Sequence, residues 1–276
     1  MITKKDAHDI ETWFEAYTKA FFTHDAYVCN NLKIRYDHIM LTRKAMVYLC
    51  QELNLSAQQC LLGDVIALLH DIGRFEQFSQ YRTFSDHNSV NHGCLGVRIL
   101  ANTRILSQLS DSVQKTITSA IQWHNARGIP HTMSGEELLF TKLIRDADKI
   151  DIYRCSVDHF RRIKHDPAGG HLELEVSDAP HCSDALVTAL LQGQQVDYSQ
   201  LQTYHDLQLM QLGWIYDINF VASLKHIHEK QHLNDLIDFL PTGPVTDRVR
   251  NHVYSYLEER GVTGCDHSVQ ITDHSN

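Results

Sequence analysis

The amino-acid sequence predicts an all-α fold, because apolar residues recur at helical spacing along most of the 276 residues. The first such face joins Ile10, Phe14 and Tyr17. A second observation is the segment from Leu61 to Leu69, which follows Ser56, a residue typical of a helix N-cap, and is apolar on nearly every side. We expect this segment to form the central, buried helix.

Other predicted helices combine an apolar face with a histidine or an aspartate. Their apolar residues are Ile39, Met46, Cys50 and Leu53; Val90, Cys94 and Val97; Ile117, Ala120 and Ile121; and Phe140, Leu143, Ile144 and Ile152. His38 is expected to open the first of these helices, and His92 to lie in the first turn of the second. His124 continues the apolar face of the third and Asp148 that of the fourth, so both should point inward.

The helical pattern stops between Lys164 and Ser183, where two prolines, a Gly-Gly pair and the alternating segment HLELEV predict a loop or lid insertion, with room for a small hairpin. Residues 185–191, 207–227 and 249–257 again have helical spacing, and Gly261 is placed to end the last helix. No linker precedes them, so we expect a single domain over residues 1–264, with a separate C-terminal domain as the less favoured alternative. Residues 265–276 are expected to form a disordered tail.

The composition restricts the partners and the compartment. A formal net charge of −9 argues against general affinity for long nucleic acids, which bind clustered lysine and arginine. No apolar run approaches the ~20 residues of a membrane span, and the first residues do not have the order of a signal peptide, so we expect a cytoplasmic protein. The seven cysteines include no CxxC pair and indicate reduced thiols rather than a disulfide or zinc framework.

The polar residues that accompany the apolar faces form a set suited to metal binding. The segment LLHDIGRF ends the central helix with His70 and Asp71, and Gly73 is expected to let the backbone turn sharply there. Burying an ionised carboxylate costs several kcal/mol unless it is paired or coordinates a cation. Inward histidines and aspartates from successive helices therefore favour a shared divalent metal.

These residues carry a resemblance to a known family. His38, the adjacent pair His70-Asp71 in LLHDIGRF, and Asp148 in IRDADKID resemble the signature of the HD-domain superfamily of metal-dependent phosphohydrolases. The resemblance covers roughly residues 30–160 and includes the segment NHGCLGVRIL. It implies an HD-domain helical bundle, to which this chain adds C-terminal helices at 184–260 and the insertion at 164–183.

The resemblance also implies a ligand set. The residues His38, His70, Asp71 and Asp148 would bind a first metal ion, and Asp71 would bridge to a second ion held by His92 and His124. One or two divalent ions are expected, from among Mn, Fe, Mg, Co, Ni and Zn. Asp148 is favoured over Asp146 because it directly precedes the lysine of the family motif; Asp146 is then expected on the helix surface and Asp151 beside the ligands or in packing. His87 is the alternative to His92.

A metal site of this kind lowers the pKa of bound water toward ~7 and so produces hydroxide as the nucleophile. The resemblance makes Asp71, Arg74 and Lys149 the catalytic residues, with Arg74 and Lys149 also binding the phosphoryl group of the substrate. The alternative for Arg74 is a salt bridge with Glu76 or with a nearby helix end.

The predicted function is hydrolysis of a phosphomonoester or phosphodiester of a nucleotide or a related small phosphate compound. The segment HNARGIP begins at His124, where cyclic dinucleotide phosphodiesterases would have HHE and GYP motifs, which argues against that narrower activity. Two alternatives stay open. One is an HD-fold di-iron oxygenase, which uses a similar six-ligand set, and the other is a regulatory module that senses a nucleotide. No membrane partner is expected, and the oligomeric state is left open.

Overall fold

The computed structural model describes residues 2–165, 176–177, 179–196, 198–262 and 264. The prediction of an all-α fold is confirmed: the described residues form α-helices and two short 3-10 turns, and they contain no strand, only an isolated bridge between Ser177 and Thr203. None of the described helices is both long and apolar enough to cross a membrane.

The chain divides into two compact units between Asp151 and Ile152. The helices of the first unit are α1 (Lys4–Lys19), α2 (Ala26–Glu52), α3 (Ala57–Leu69), α4 (Gly73–Tyr81), α5 (His92–Thr103), α6 (Asp111–Trp123) and the start of α7 (Gly135–His165). Helix α3 packs against α1, α2 and α6, and α5 packs against α4 and α6. The expected central helix is therefore α3.

Helix α3 has the expected N-cap and the expected burial. The Ser56 hydroxyl accepts a hydrogen bond from the Gln59 backbone N–H, and the Gln59 side chain accepts one from the Ser56 backbone N–H. Val65, Ile66 and Leu69 are at most 1% exposed. Because the helix ends at Leu69, the next two residues, His and Asp, are delivered from the centre of the core.

Two details of the predicted helices in the first unit are wrong. His38 does not open its helix but lies near the middle of α2, whose start at Ala26 is capped by the Asp25 carboxylate. The buried face of α5 is formed by Leu95, Ile99 and Leu100, whereas Cys94, which was assigned to that face, is exposed.

Gly73 is required for a close approach of two helices rather than for an unusual turn. Its φ is not positive, but a Cβ atom built on it would lie 2.3 Å from the His92 carbonyl oxygen and 2.9 Å from the Gly96 nitrogen. The start of α4 therefore touches the backbone of α5. No other residue type fits there without moving one of the two helices.

The helices of the second unit, apart from the remainder of α7, are α8 (Asp184–Leu191), α9 (Tyr204–Gly213), α10 (Val221–Glu229), α11 (His232–Asp238) and α12 (Pro244–Glu259). The single helical stretch predicted over 207–227 is divided by a 3-10 turn at Trp214–Asp217. Helix α12 ends as expected just before Gly261, which has a φ of 81°. Most of the predicted insertion, with its hairpin, and the tail from 265 lie outside the described residues, and the single-domain organisation over 1–264 stays a prediction.

Replacing Gly73 by alanine should destabilise the first unit, because the new methyl group would overlap the α5 backbone. Overpacking of this kind costs about 1–3 kcal/mol or more, which corresponds to roughly 2–4 °C in Tm for each kcal/mol. Thermal unfolding followed by circular dichroism measures the loss. The matched control is Gly128→Ala, since a Cβ atom there meets nothing within 4 Å. Equal Tm values for the two variants would contradict the close approach at Gly73.

Candidate metal centre

Six polar residues of the first unit meet at the end of α3. They are His38 in α2, His70 and Asp71 directly after α3, His92 at the start of α5, His124 directly after α6, and Asp148 in α7. The four histidines and Asp71 are at most 3% exposed, and the Asp148 side chain is 15% exposed. The structure thus brings together all six residues that the sequence selected, and its buried His and Asp groups could hold metal ions.

Asp71 lies between two groups of nitrogen and oxygen donors. Its Oδ2 atom is 3.9 Å from the Nε2 atoms of both His38 and His70. Asp148 completes this first group, because its Oδ1 atom is 3.0 Å from His38 Nε2 and 3.8 Å from His70 Nε2. We call these residues with Asp71 Oδ2 the first position.

The second group faces the other oxygen of the same carboxylate. Asp71 Oδ1 is 3.2 Å from His92 Nε2 and 3.6 Å from His124 Nε2, and the two histidine Nε2 atoms are 3.0 Å apart. We call these residues with Asp71 Oδ1 the second position. Each carboxylate oxygen of Asp71 therefore faces a different pair of imidazoles, which is the arrangement a bridging ligand needs.

Each imidazole is oriented by an acceptor at its other nitrogen. The Nδ1 atoms of His70 and His124 lie 2.8 and 2.7 Å from the carbonyl oxygens of Ala67 and Ile121. A carbonyl oxygen can only accept a hydrogen bond, so Nδ1 carries a proton in both rings, and in the neutral form of each ring the lone pair is on Nε2. Outer acceptors of this kind typically accompany metal-binding histidines.

Carboxylates orient the other two rings. His38 Nδ1 lies 2.7 Å from Asp151 Oδ2, and His92 Nδ1 lies 2.7 Å from Asp86 Oδ2. The expectation that Asp151 would lie beside the ligands agrees with this contact. Each position therefore contains one histidine oriented by a carboxylate and one oriented by a backbone carbonyl.

The donor set fits a divalent cation. His70 Nε2 is buried and has no hydrogen-bond partner among the described residues. The Nε2 atoms of His92 and His124, only 3.0 Å apart, would repel each other if both presented lone pairs with nothing between them. A cation shared by these nitrogens and by the Asp71 carboxylate removes both unfavourable features.

The pKa values of His70, Asp71 and Asp148 place these three residues in the protonation states that metal ligands need. Burial lowers the pKa of His70 to about 4, so its ring is neutral at pH 7. Burial opposes ionisation of Asp71, but the imidazoles of His70, His124 and His92 outweigh it and hold its pKa well below the ordinary value. The pKa of Asp148 is likewise lowered, because hydrogen bonding and charge at His38 outweigh its burial.

Arg74 lies beside the cluster and is held by several acceptors. Its NH1 group donates to the Phe84 carbonyl oxygen at 2.6 Å and to Asp86 Oδ1 at 3.0 Å, and its Nε atom is 3.5 Å from Asp71 Oδ1. The alternative salt bridge with Glu76 is wrong, because the carboxylates near Arg74 are Asp71 and Asp86. Lys149, next to Asp148 in α7, is partly exposed.

Three residues near the site differ from the sequence reading or were missed by it. Asp146 is fully buried, so its assignment to the helix surface is wrong. Arg145 is buried beside it, and its NH1 group donates to the carbonyl oxygens of Trp123 and His124 at 3.0 and 3.2 Å, which fixes the end of α6.

Asp86 was missed because it lies in a loop, where no helical spacing marks a residue as buried. The only indication in the sequence was its position six residues before His92. His87, in the same loop, is exposed.

Comparison with known families agrees with this geometry. Residues 35–153, less than half of the chain, match the family model described as HD domain. This part of the chain is similar to HD domains. All six clustered residues lie inside the matched HD domain, whose superfamily consists generally of metal-dependent phosphohydrolases. No curated protein and no solved structure gives a significant match.

Manganese should stabilise the folded first unit, because an ion that binds only the folded state adds ~2.7 kcal/mol at 100 times its Kd. We expect Tm to rise by roughly 5–11 °C after EDTA treatment and addition of Mn²⁺. His70→Gln should reduce the rise strongly, whereas His8→Gln, on the exposed face of α1, should leave it intact. Equal increments in the two variants would show that His70 does not take part in metal binding.

Proposed function

We propose that this chain is a metal-dependent phosphohydrolase that cleaves a phosphomonoester or phosphodiester of a nucleotide or a related small phosphate compound. The observation that carries the proposal is the convergence of four imidazole Nε2 atoms on the two oxygens of Asp71. The match of residues 35–153 to the HD domain supports the reaction class, because that superfamily consists generally of metal-dependent phosphohydrolases.

The proposed ligand assignment follows the two positions. His38, His70, Asp71 and Asp148 would hold one ion, and Asp71, His92 and His124 would hold a second. When bound, divalent ions would lower the pKa of a water molecule toward ~7 and neutralise charge on phosphoryl oxygens. The mixed imidazole and carboxylate ligands suit Mn, Fe, Mg, Co, Ni or Zn.

Arg74 is the proposed phosphate-binding residue of the chain itself. Acceptors on the Phe84 carbonyl, Gln77 and Asp86 fix its NH1 group, so the guanidinium is already placed beside Asp71 before a substrate binds. A preorganised cation stabilises the charge that develops on phosphoryl oxygens at no cost of rearrangement during the reaction. Lys149 is proposed to add a second positive charge from α7, next to Asp148.

A small substrate is supported by the charge of the chain. A net charge of −9 offers no general attraction to a long polyanion, so an anionic ligand has to be bound locally. Arg74, with a side chain 13% exposed, is a local cation of this kind. The nucleotide identity of the substrate is proposed from the superfamily.

The decisive experiment measures product release from a panel of nucleotides and other phosphoesters, with Mn²⁺ added and dioxygen excluded. We expect Asp71→Ala to lower turnover by more than about a hundredfold, because loss of an outer partner of a metal ligand already costs 10–100-fold. The matched control is Asp37→Ala, an exposed aspartate of α2 paired with Lys33, which should retain wild-type turnover.

The other outcomes separate the alternatives. Turnover that requires dioxygen and iron would replace the hydrolase with the di-iron oxygenase. Nucleotide-induced stabilisation without product would replace it with the sensing module. Wild-type turnover in Asp71→Ala would contradict the proposed role of the cluster in any form.

A further inference from the structure

We infer that Asp86 is a positioning residue that joins the second position to the proposed phosphate-binding residue Arg74. The inference rests on the proposed function for the role of Arg74. Asp86 lies in the loop between α4 and α5, outside the six residues of the cluster. One carboxylate thus contacts both a proposed metal ligand, His92, and the proposed phosphate-binding cation, Arg74.

The contacts of Asp86 place it between these two groups. Its Oδ2 atom is 2.7 Å from His92 Nδ1, on the side of the ring opposite the Asp71 carboxylate. Its Oδ1 atom accepts a hydrogen bond from Arg74 NH1 at 3.0 Å. Displacement of the Asp86 carboxylate would therefore move both His92 and Arg74.

The Asp86 carboxylate is itself anchored by two amides. Gln77 Nε2 donates to Oδ1 at 2.9 Å, and Asn125 Nδ2 donates to Oδ2 at 2.9 Å. Gln77 is fully buried, and the same amide group also lies 2.9 Å from Ser89 Oγ and from the Val90 carbonyl oxygen. Hydrogen bonds from α4 and from the segment after α6 thus fix the Asp86 carboxylate, although it lies in a loop.

Asp151 provides the comparison that makes the role of Asp86 specific. It lies 2.7 Å from His38 Nδ1 and so orients a histidine of the first position as Asp86 orients one of the second. A carboxylate partner fixes the tautomer of an imidazole and increases its basicity as a ligand. Removing Asp86 should weaken the second position, and removing Asp151 should weaken the first.

Asparagine at position 86 keeps the size of the side chain and removes one acceptor and the charge. Its amide nitrogen would face donors on either side, either from His92 and Asn125 or from Arg74 and Gln77. The variant therefore cannot keep both contacts. It tests whether the two contacts depend on one carboxylate.

The experiment measures Mn²⁺ binding to the full chain by equilibrium dialysis without substrate. We expect two ions in the wild type, and in Asp86→Asn a second ion bound 10–100-fold more weakly with the first retained. Asp151→Asn should weaken the first position instead, and Asp37→Asn, an exposed control, should bind as the wild type does. Because no substrate is present, an inactive wild type would count against the proposed function and not against this inference.

A double-mutant cycle tests whether Asp86 positions Arg74. The affinity of the Mn²⁺-loaded protein for inorganic phosphate is measured in the wild type, in each single variant and in the double variant. We expect Asp86→Asn and Arg74→Ala each to weaken phosphate binding, with a combined loss smaller than the sum of the separate losses. If Asp86→Asn does not fold, Asp86→Glu repeats both measurements with the charge kept and the carboxylate displaced. Two ions bound at wild-type affinity in the folded variant, a single ion in the wild type, or additive phosphate losses would overturn the inference.

Discussion

The structure depends on an ionised carboxylate, that of Asp71, held inside the core of the first unit. Taking such a charge out of water costs several kcal/mol unless polar or charged groups surround it. Here the side chain is buried, with imidazole nitrogens facing both oxygens and the Arg74 guanidinium beside one of them. Helix α3 can end in this polar cluster because α3 itself is apolar and packs against several other helices.

The cluster also requires backbone segments to approach each other closely. A Cβ atom on Gly73 would overlap the His92 carbonyl oxygen, and one on Gly93 would lie 2.8 Å from both the Ile121 carbonyl oxygen and the Asn125 side chain. These contacts bring the ends of α3 and α6 to the start of α5. Asp86 and Arg145 then fix His92 and the end of α6 from outside. The same contacts that pack the fold therefore position the polar cluster.

Much of this site could be predicted from the sequence because its members interrupt or end apolar helical faces. His124 and Asp148 were found in this way, and the His70-Asp71 pair stands at the end of the most apolar helix. The residues around the ligands could not be predicted from apolar helical faces. Asp86 is in a loop with no periodicity, and Asp146 was placed on the surface because helical spacing does not reveal a polar residue buried by neighbouring segments. Cys94 was assigned to a buried face that begins one residue later, at Leu95.

We propose that the two oxygens of Asp71 divide the cluster into two metal positions. Anomalous diffraction from crystals loaded with Mn²⁺ would show whether they do, because the anomalous signal locates the ions without reference to activity. We expect two peaks, one among His38, His70 and Asp148 and one between His92 and His124, each in contact with a different oxygen of Asp71. A loaded crystal with no peak at Asp71, or with a single peak that leaves His92 and His124 hydrogen-bonded only to each other, would contradict it.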